Sequence, residues 1–173
     1  LVGALRLFML EVCDSNPYLE RIFGHLRDAD SDRETFRRFA ELCGDYLLQE
    51  CMKNNLVLLR EKEILTPTNA CVKTVFLNPS KILAVPIFRA GNAFLNSVFR
   101  VLSPGVPVAQ LVIQRDELTA EPCVLLSKFP AQLEAFETVL LLDPMLATGG
   151  SVLAAIAVLI DLGVALERIV LVH

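Results

Sequence analysis

The chain has 173 residues, of which 54% are hydrophobic and 21% are charged, and its formal net charge is −4. This length suits one domain with a core of its own, so we expect residues 1–173 to form a single domain. The negative charge argues against a nucleic-acid surface, and charged residues interrupt every apolar run before the roughly 20 residues of a membrane span.

Cysteine and histidine usage argues against several kinds of site. The five cysteines are an odd number at irregular spacings without a CxxC pair, which favours neither a disulfide framework nor a zinc site. We therefore expect buried or half-buried thiols in a reducing compartment, the cytoplasm. His25 and His173 are the only histidines, which argues against a catalytic triad and against a metal site built from histidines.

The amino-terminal third carries helical signals. The opening stretch LVGALRLFMLEV contains Arg6 and lacks a following cleavage site, so we interpret it as a short strand or helix rather than a signal peptide. Residues 17–27 are predicted to form a short helix. A longer helix is predicted to begin with a capping box of Ser31 and Glu34. Apolar residues then follow at helical spacing: Phe36, Phe39, Cys43, Tyr46, Leu47 and Cys51. The arginines of this helix are interpreted as a solvated face rather than a phosphate site: Arg33, Arg37 and Arg38.

From residue 81 onward, apolar runs of strand length alternate with helical patterns. Continuous apolar strands separated by helices are typical of a parallel sheet covered on both faces. The sequence therefore predicts a doubly wound, mainly parallel α/β fold with amino-terminal helices. The predicted strands and helices alternate over 81–88, 90–102, 108–114, 138–143, 150–163 and 168–173. A further strand at 123–129 is expected to form a hairpin with 108–115.

Polar residues follow three of the predicted strands. They are the Arg89-Ala90-Gly91 turn, Arg115-Asp116, and the stretch from Asp143 to Ser151. Ligands of open α/β sheets bind beyond the carboxyl ends of the strands, so these segments are predicted to converge on one site.

The stretch ATGGS, residues 147–151, combines features of an anion site. Its last four residues would present backbone amides and two hydroxyls at the start of a helix, and its glycines would let the backbone approach a phosphate closely. The Walker pattern requires Lys after its final Gly, whereas Ser151 follows Gly150, and GxGxxG is absent. On these five residues alone, a phosphate cradle and a tight turn capped by Ser151 are equally compatible. A carboxylate at Asp143 suits a sugar hydroxyl or a magnesium shell.

The longer motif LLLDPMLATGGS, residues 140–151, resembles the phosphoribosyl pyrophosphate (PRPP) loop of uracil phosphoribosyltransferases. These enzymes have one acid at the strand end, as in Leu142-Asp143, where most other phosphoribosyltransferases have two. VPIFRAG, residues 85–91, resembles the pyrophosphate-binding turn of the family, and QRDELTAEPCVLLSKFP, residues 114–130, resembles its flexible segment. The resemblance extends through the amino-terminal helices and covers roughly residues 10–173 in order.

This resemblance implies transfer of phosphoribose from PRPP to uracil, giving UMP and pyrophosphate in pyrimidine salvage, with Mg²⁺ as cofactor. The implied catalytic residues are Arg89, Arg115 and Asp143. The two arginines would meet the charge that grows on pyrophosphate, and Asp143 would hold the ribose hydroxyls and, directly or through water, magnesium. Lys128 would close over the site. The implied PRPP-binding residues are Arg89, Ala90, Gly91, Arg115, Lys128, Asp143, Ala147, Thr148, Gly149, Gly150 and Ser151.

The chain departs from the family pattern at its carboxyl end. Family members continue past the strand equivalent to 168–173 with a glycine-rich segment that recognises uracil, so we interpret the chain as truncated at His173 and the fragment itself as not necessarily active. The alternative function is a non-catalytic relative that keeps a nucleotide- or PRPP-binding pocket for regulation. The intact charged residues favour the enzyme, and the resemblance implies a homo-oligomer, a dimer or tetramer.

Overall fold

The structure is a computed structural model that describes residues 16–115 and 122–173. The opening stretch LVGALRLFMLEV and the Asp116 position lie outside the described residues. The helices are α1 (Pro17–Arg27), α2 (Arg33–Lys53), α3 (Leu95–Ser97) and α4 (Gly150–Asp161). The strands are β1 (Leu59–Leu65), β2 (Cys71–Leu77), β3 (Ile82–Phe88), β4 (Gln110–Arg115), β5 (Pro122–Lys128), β6 (Thr138–Leu142) and β7 (Ile169–Val172).

Five strands form the main sheet in the order β5-β4-β3-β6-β7. The four strands β4, β3, β6 and β7 are parallel, and β5 pairs antiparallel with β4. The two central strands are buried along almost their whole length, as continuous apolar runs require when both faces are covered. The predicted doubly wound α/β fold and the β4–β5 hairpin are confirmed.

A helical layer covers each face of the sheet. On one face, α4 packs Val152, Ala155 and Leu159 against the apolar side chains of β3, β4 and β6. On the other face, Leu48 and Cys51 of α2 join Phe94 and Val98 of the helical stretch after β3. That stretch comprises a 3₁₀ segment (Ala90–Phe94), α3 and a π-helical turn (Val98–Leu102).

The amino-terminal helices begin with side-chain caps. Asn16 accepts from the amides of Tyr18 and Leu19, each at 3.0 Å, and starts α1 where it was predicted. The predicted capping box of α2 is wrong, because Asp32 caps this helix and accepts from the Thr35 amide at 2.7 Å. The Ser31 hydroxyl instead donates to the carbonyl of His25, at 2.7 Å, and ties the two helices together.

The hairpin of β1 and β2 was not predicted. Its strands pair over seven positions, from Leu59 opposite Leu77 to Leu65 opposite Cys71, and its turn closes with the Thr66 amide donating to the Ala70 carbonyl. Most of its side chains are exposed, and this includes Leu65 and Val75. Four consecutive charged residues in LREKEIL hide the strand signal, because neither face of the strand is fully buried.

The four described cysteines divide into two groups, and Cys13 lies outside the described residues. Cys43 and Cys51 are buried as predicted, whereas Cys71 and Cys123 are exposed, so the prediction of buried thiols is wrong for the latter two. In the described ranges, no helix has both the length and the apolar character that crossing a membrane would require.

Candidate functional site

The carboxyl ends of the parallel strands bring the predicted site segments to one edge of the sheet. Because β4, β3, β6 and β7 run in the same direction, this carboxyl edge carries Arg115, Arg89, Asp143 and His173 at its four strand ends. The two central positions are Arg89 and Asp143, since β3 and β6 are direct neighbours. The predicted convergence of these segments is observed.

Gly91 joins the turn after β3 to the end of β6. A Cβ atom at this position would collide with the carbonyl oxygen of Leu142 and would lie 2.9 Å from the Cα of Pro86. Only glycine therefore allows the turn to lie this close to the residue that precedes Asp143. The close approach fixes the position of the Arg89 backbone relative to Asp143. Arg89 and Ala90 are exposed, and the Arg89 side chain forms no hydrogen bond or ion pair with any residue in the described ranges.

Asp143 is a buried carboxylate at the end of β6. The residue is 7% exposed, and its amide donates to the carbonyl of Val172 at the end of β7, at 3.2 Å. Burial raises the pKa of Asp143, although a hydrogen bond from the Met145 amide and the nearby charge of His173 act in the opposite direction. A buried carboxylate with one long hydrogen bond, 3.4 Å from the Met145 amide, retains acceptor capacity for a ligand.

The segment between β6 and α4 has a special backbone conformation. Ala147 has φ +43° and Gly149 has φ +75°, both in the left-handed region, which is costly for alanine but not for glycine. The Gly149 amide donates to the carbonyl of Leu146 at 2.7 Å, and α4 begins at the next residue. No side chain of the described residues caps this helix, so its first amides remain available to an anion. Residues 147–151 thus have the form of the predicted phosphate cradle.

The start of β5 approaches the cradle from the neighbouring hairpin. A Cβ atom at Gly150 would lie 4.0 Å from the Cγ of Pro122, and Pro122 is paired with Arg115 across the two strands. The backbone of Arg115 therefore ends β4 beside the cradle. Pro122 was not predicted as part of this edge, because the reversal of β5 was needed to bring it there.

The structure does not bring Lys128 to the carboxyl edge. Lys128 is paired with Gln110, the first residue of β4, whereas Arg115 is the last. Five residues of extended chain separate the two levels by about 17 Å. The pairing register therefore places Lys128 at the opposite end of the hairpin from the cradle.

His173 is a further residue at this edge that the sequence analysis did not include. It directly follows β7, and its charge acts on Asp143. The predicted strand 168–173 could have indicated this position, because the carboxyl end of a fourth parallel strand lies at the same edge.

The carboxyl edge offers a single described carboxylate, Asp143, to a divalent metal ion. Among the described residues there is no cluster of three or more His, Cys, Asp or Glu that could hold a metal. Mg²⁺ usually takes one or two protein carboxylates and fills its remaining positions with water and substrate phosphates. Asp143, with its unused acceptor capacity, can supply such a carboxylate directly or through water.

Comparison with known families gives a match over nearly the whole chain. The family model described as uracil phosphoribosyltransferase matches residues 12–173. The matched range includes every segment of the carboxyl edge.

Individual relatives agree with this match. A uracil phosphoribosyltransferase of Dictyostelium discoideum is 36% identical over 162 residues, which cover 94% of this chain and 73% of the relative. One from Synechococcus elongatus is 36% identical over 166 residues, covering 95% of this chain and 73% of the relative. A solved structure from Aquifex aeolicus superposes with a TM-score of 0.72 at 33% identity and covers 87% of this chain and 69% of that one.

Proposed function

This chain belongs to the uracil phosphoribosyltransferase family, and we propose that it transfers the phosphoribosyl group of PRPP to uracil, giving UMP and pyrophosphate. The observation that carries the proposal is the carboxyl edge itself. One buried carboxylate, one arginine side chain without a partner among the described residues and one helix start that no described side chain caps meet there at the ends of adjacent parallel strands. A sugar that carries phosphate groups on both sides requires this combination of a central acceptor and flanking anion sites.

The arginines would act on the leaving group. Breaking the bond between the ribose carbon and pyrophosphate leaves positive charge on the sugar and adds negative charge to the pyrophosphate. Arg89, exposed and without an ion-pair partner among the described residues, can donate to that growing charge. Arg115 ends the adjacent strand and has the same proposed role.

Asp143 would hold the sugar. Its carboxylate accepts hydrogen bonds from the ribose hydroxyls and, in its ionised form, favours the positive charge that develops on the ring. The attacking nucleophile is a nitrogen of the base, so no side-chain nucleophile is needed. The 5-phosphate would lie on the cradle of residues 147–151, where the first amides of α4 and the positive end of its dipole meet it.

Magnesium belongs to this proposal because phosphoribosyltransferases generally use it with PRPP. When bound, the ion neutralises pyrophosphate charge and makes the diphosphate a better leaving group. Asp143 is the residue of this edge that would hold it. The proposal also includes a homo-oligomer, supported by exposed apolar side chains on the β1–β2 hairpin, and a cytoplasmic location, supported by the exposed thiols of Cys71 and Cys123, which form no disulfide within the described residues.

Two glycines provide a matched test of the cradle. Gly149 and Gly163 both have positive φ, +75° and +87°, and a Cβ at either would meet no atom within 4 Å. Replacement of either by Ala should therefore introduce similar backbone strain, about 1–2 kcal/mol. Only Gly149 lies in the cradle.

We expect calorimetric titration with PRPP and Mg²⁺ to show that Gly149→Ala weakens binding at least tenfold while Gly163→Ala leaves the Kd within twofold. Equal Kd values for the two variants would contradict the cradle assignment. Conversion of PRPP and uracil to UMP by the wild-type chain would establish the enzyme.

A further inference from the structure

The amino-terminal turns of α2 carry arginines that the site described above does not use. Arg33 and Arg37 are exposed, and neither side chain forms a hydrogen bond or ion pair within the described ranges. From sequence, they were interpreted together with Arg38 as one solvated face. The structure separates Arg37 from Arg38.

Arg37 lies on the face of α2 that packs against the body of the protein. Gly44, Leu48 and Cys51 are buried, and they follow Arg37 by seven, eleven and fourteen residues, a spacing that keeps all four on one helix face. Arg37 therefore lies on the same helix face as these buried residues, nearer the amino terminus of α2, where the side chain is exposed. Arg38 is rotated by about 100° and shares its face with the exposed Gln49.

The direction of α2 relative to the sheet follows from two side-chain pairs. The Asn96 amide donates to the Glu41 carboxylate at 3.1 Å, and the Arg100 guanidinium donates to the Asp45 carboxylate at 2.9 Å. Each pair joins residues 55 apart in sequence, and the second pair is four residues further along both segments. The helical stretch 90–102 and α2 therefore run in the same direction. Since that stretch starts at the carboxyl end of β3, the amino-terminal turns of α2 extend toward the carboxyl edge.

The closest approach of the two segments sets their relative height. A Cβ at Gly44 would lie 2.7 Å from the Oγ of Ser97, its nearest neighbour. Arg37 precedes Gly44 by seven residues, or about 10.5 Å of α-helix. Arg89 precedes Ser97 by eight residues, or about 14.5 Å of α- and 3₁₀-helix. The two arginines thus lie within about 4 Å of the same height beyond this contact, on neighbouring segments whose axes are about 8–10 Å apart.

We propose that Arg37 binds the pyrophosphate group of PRPP together with Arg89. This inference rests on the proposed function, and it adds a residue from the amino-terminal helices to the site. A diphosphate has more charge than one guanidinium neutralises, and its oxygens suit two forked donors approaching from different sides. The 5-phosphate lies beyond Asp143 at the cradle, so Arg37 should act on the pyrophosphate end alone.

The test compares Arg37→Gln with Arg38→Gln, which removes the same charge one residue away on another face. Both ligands are titrated in the presence of Mg²⁺: inorganic pyrophosphate for the Arg89 side and ribose 5-phosphate for the cradle. We expect Arg37→Gln to weaken pyrophosphate binding about tenfold and to leave the Kd of ribose 5-phosphate within twofold. Arg38→Gln should leave both values within twofold, and Arg37→Lys should recover part of the loss.

Each remaining result overturns the inference in a recognisable way. An unchanged pyrophosphate Kd in Arg37→Gln, or an equal loss in Arg38→Gln, would refute the role of Arg37 while leaving the proposed function intact. An equal loss for both ligands would show a general disturbance of the site. Binding of neither ligand by the folded wild-type chain would overturn the proposed function and, with it, this inference.

Discussion

The amino and carboxyl edges of the main sheet differ in whether their charged side chains have partners within the fold. At the amino edge, Lys81 donates to the carbonyl of Ala135, Arg60 pairs with Glu137 at 2.7 Å, and Arg168 donates to the carbonyls of Glu134 and Phe136. At the carboxyl edge, Arg89 has no such partner among the described residues, and Asp143 is buried with spare acceptor capacity. Polar groups satisfied within the fold hold a loop in place, whereas polar groups left open at a strand end are available to a ligand.

The largest effect should come from the central acceptor of the carboxyl edge. We expect Asp143→Asn to lower kcat by about 100-fold or more, because the neutral amide cannot favour the charge that develops on the ribose. Steady-state kinetics with PRPP and uracil would measure this. Turnover within threefold of wild type would remove Asp143 from the mechanism.

The same variant should leave the fold intact. Burial raises the pKa of Asp143 above its ordinary value of 3.8, so its protonated form contributes stability that is present below pH 3.8 and is lost as the pH rises through the raised pKa. At neutral pH the ionised carboxylate therefore lowers stability, and Asp143→Asn should keep or raise the Tm. The wild-type kcat should also fall on acidification at a pH above 3.8.

A smaller effect is expected where the turn after β3 touches β6. Gly91→Ala forces the turn away from Leu142, and we expect a loss of about 1–3 kcal/mol in the free energy of unfolding together with weaker PRPP binding. Gly24→Ala is the control, because a Cβ there meets nothing within 4 Å and alanine favours the interior of α1 by about 0.5–1 kcal/mol. Urea unfolding would separate the two. Similar free energies of unfolding for the two variants would mean that the turn can shift away from Leu142 at little cost in stability.

The smallest effect should come from the amino edge. Arg60→Ala breaks an exposed pair with Glu137, and such pairs contribute less than about 1 kcal/mol. PRPP affinity and kcat should remain unchanged, since the pair lies at the other end of the strands. A marked loss of activity without unfolding would mean that the contrast between the edges does not hold.

The sequence predicted the structure best where a strand is buried on both faces of the sheet, because a continuous apolar run of strand length then favours a central parallel strand. The apolar runs of β3 and β6 predicted central parallel strands, and parallel strands predict a shared edge for Arg89 and Asp143. The β1–β2 hairpin was missed because its exposed faces carry no clear alternation. The capping box was misplaced by one residue because Ser31, Asp32 and Glu34 are all compatible with a helix start, and only the geometry selects Asp32.

The details of the site depended on three-dimensional proximity. Lys128 was assigned to the site because it follows a recognisable segment, but the antiparallel register of β5 carries it toward the other edge. The contact between Gly91 and Leu142 joins residues about 50 positions apart, and no local pattern encodes it. The similar height of Arg37 and Arg89 likewise follows only from the packing of α2 on the stretch after β3.

The hydrogen bond from the Asp143 amide to Val172 has a consequence for hydrogen exchange. This amide continues the hydrogen bonding between β6 and β7, so its proton should exchange with solvent more slowly than that of an amide without a partner. The first amides of α4 are bonded to no side chain of the described residues, so they should exchange through local fluctuations. Ligand binding would then slow exchange at the cradle and leave Asp143 unchanged. The molecule thus combines a fixed acceptor for the sugar with a phosphate clamp that stays adaptable until it is filled.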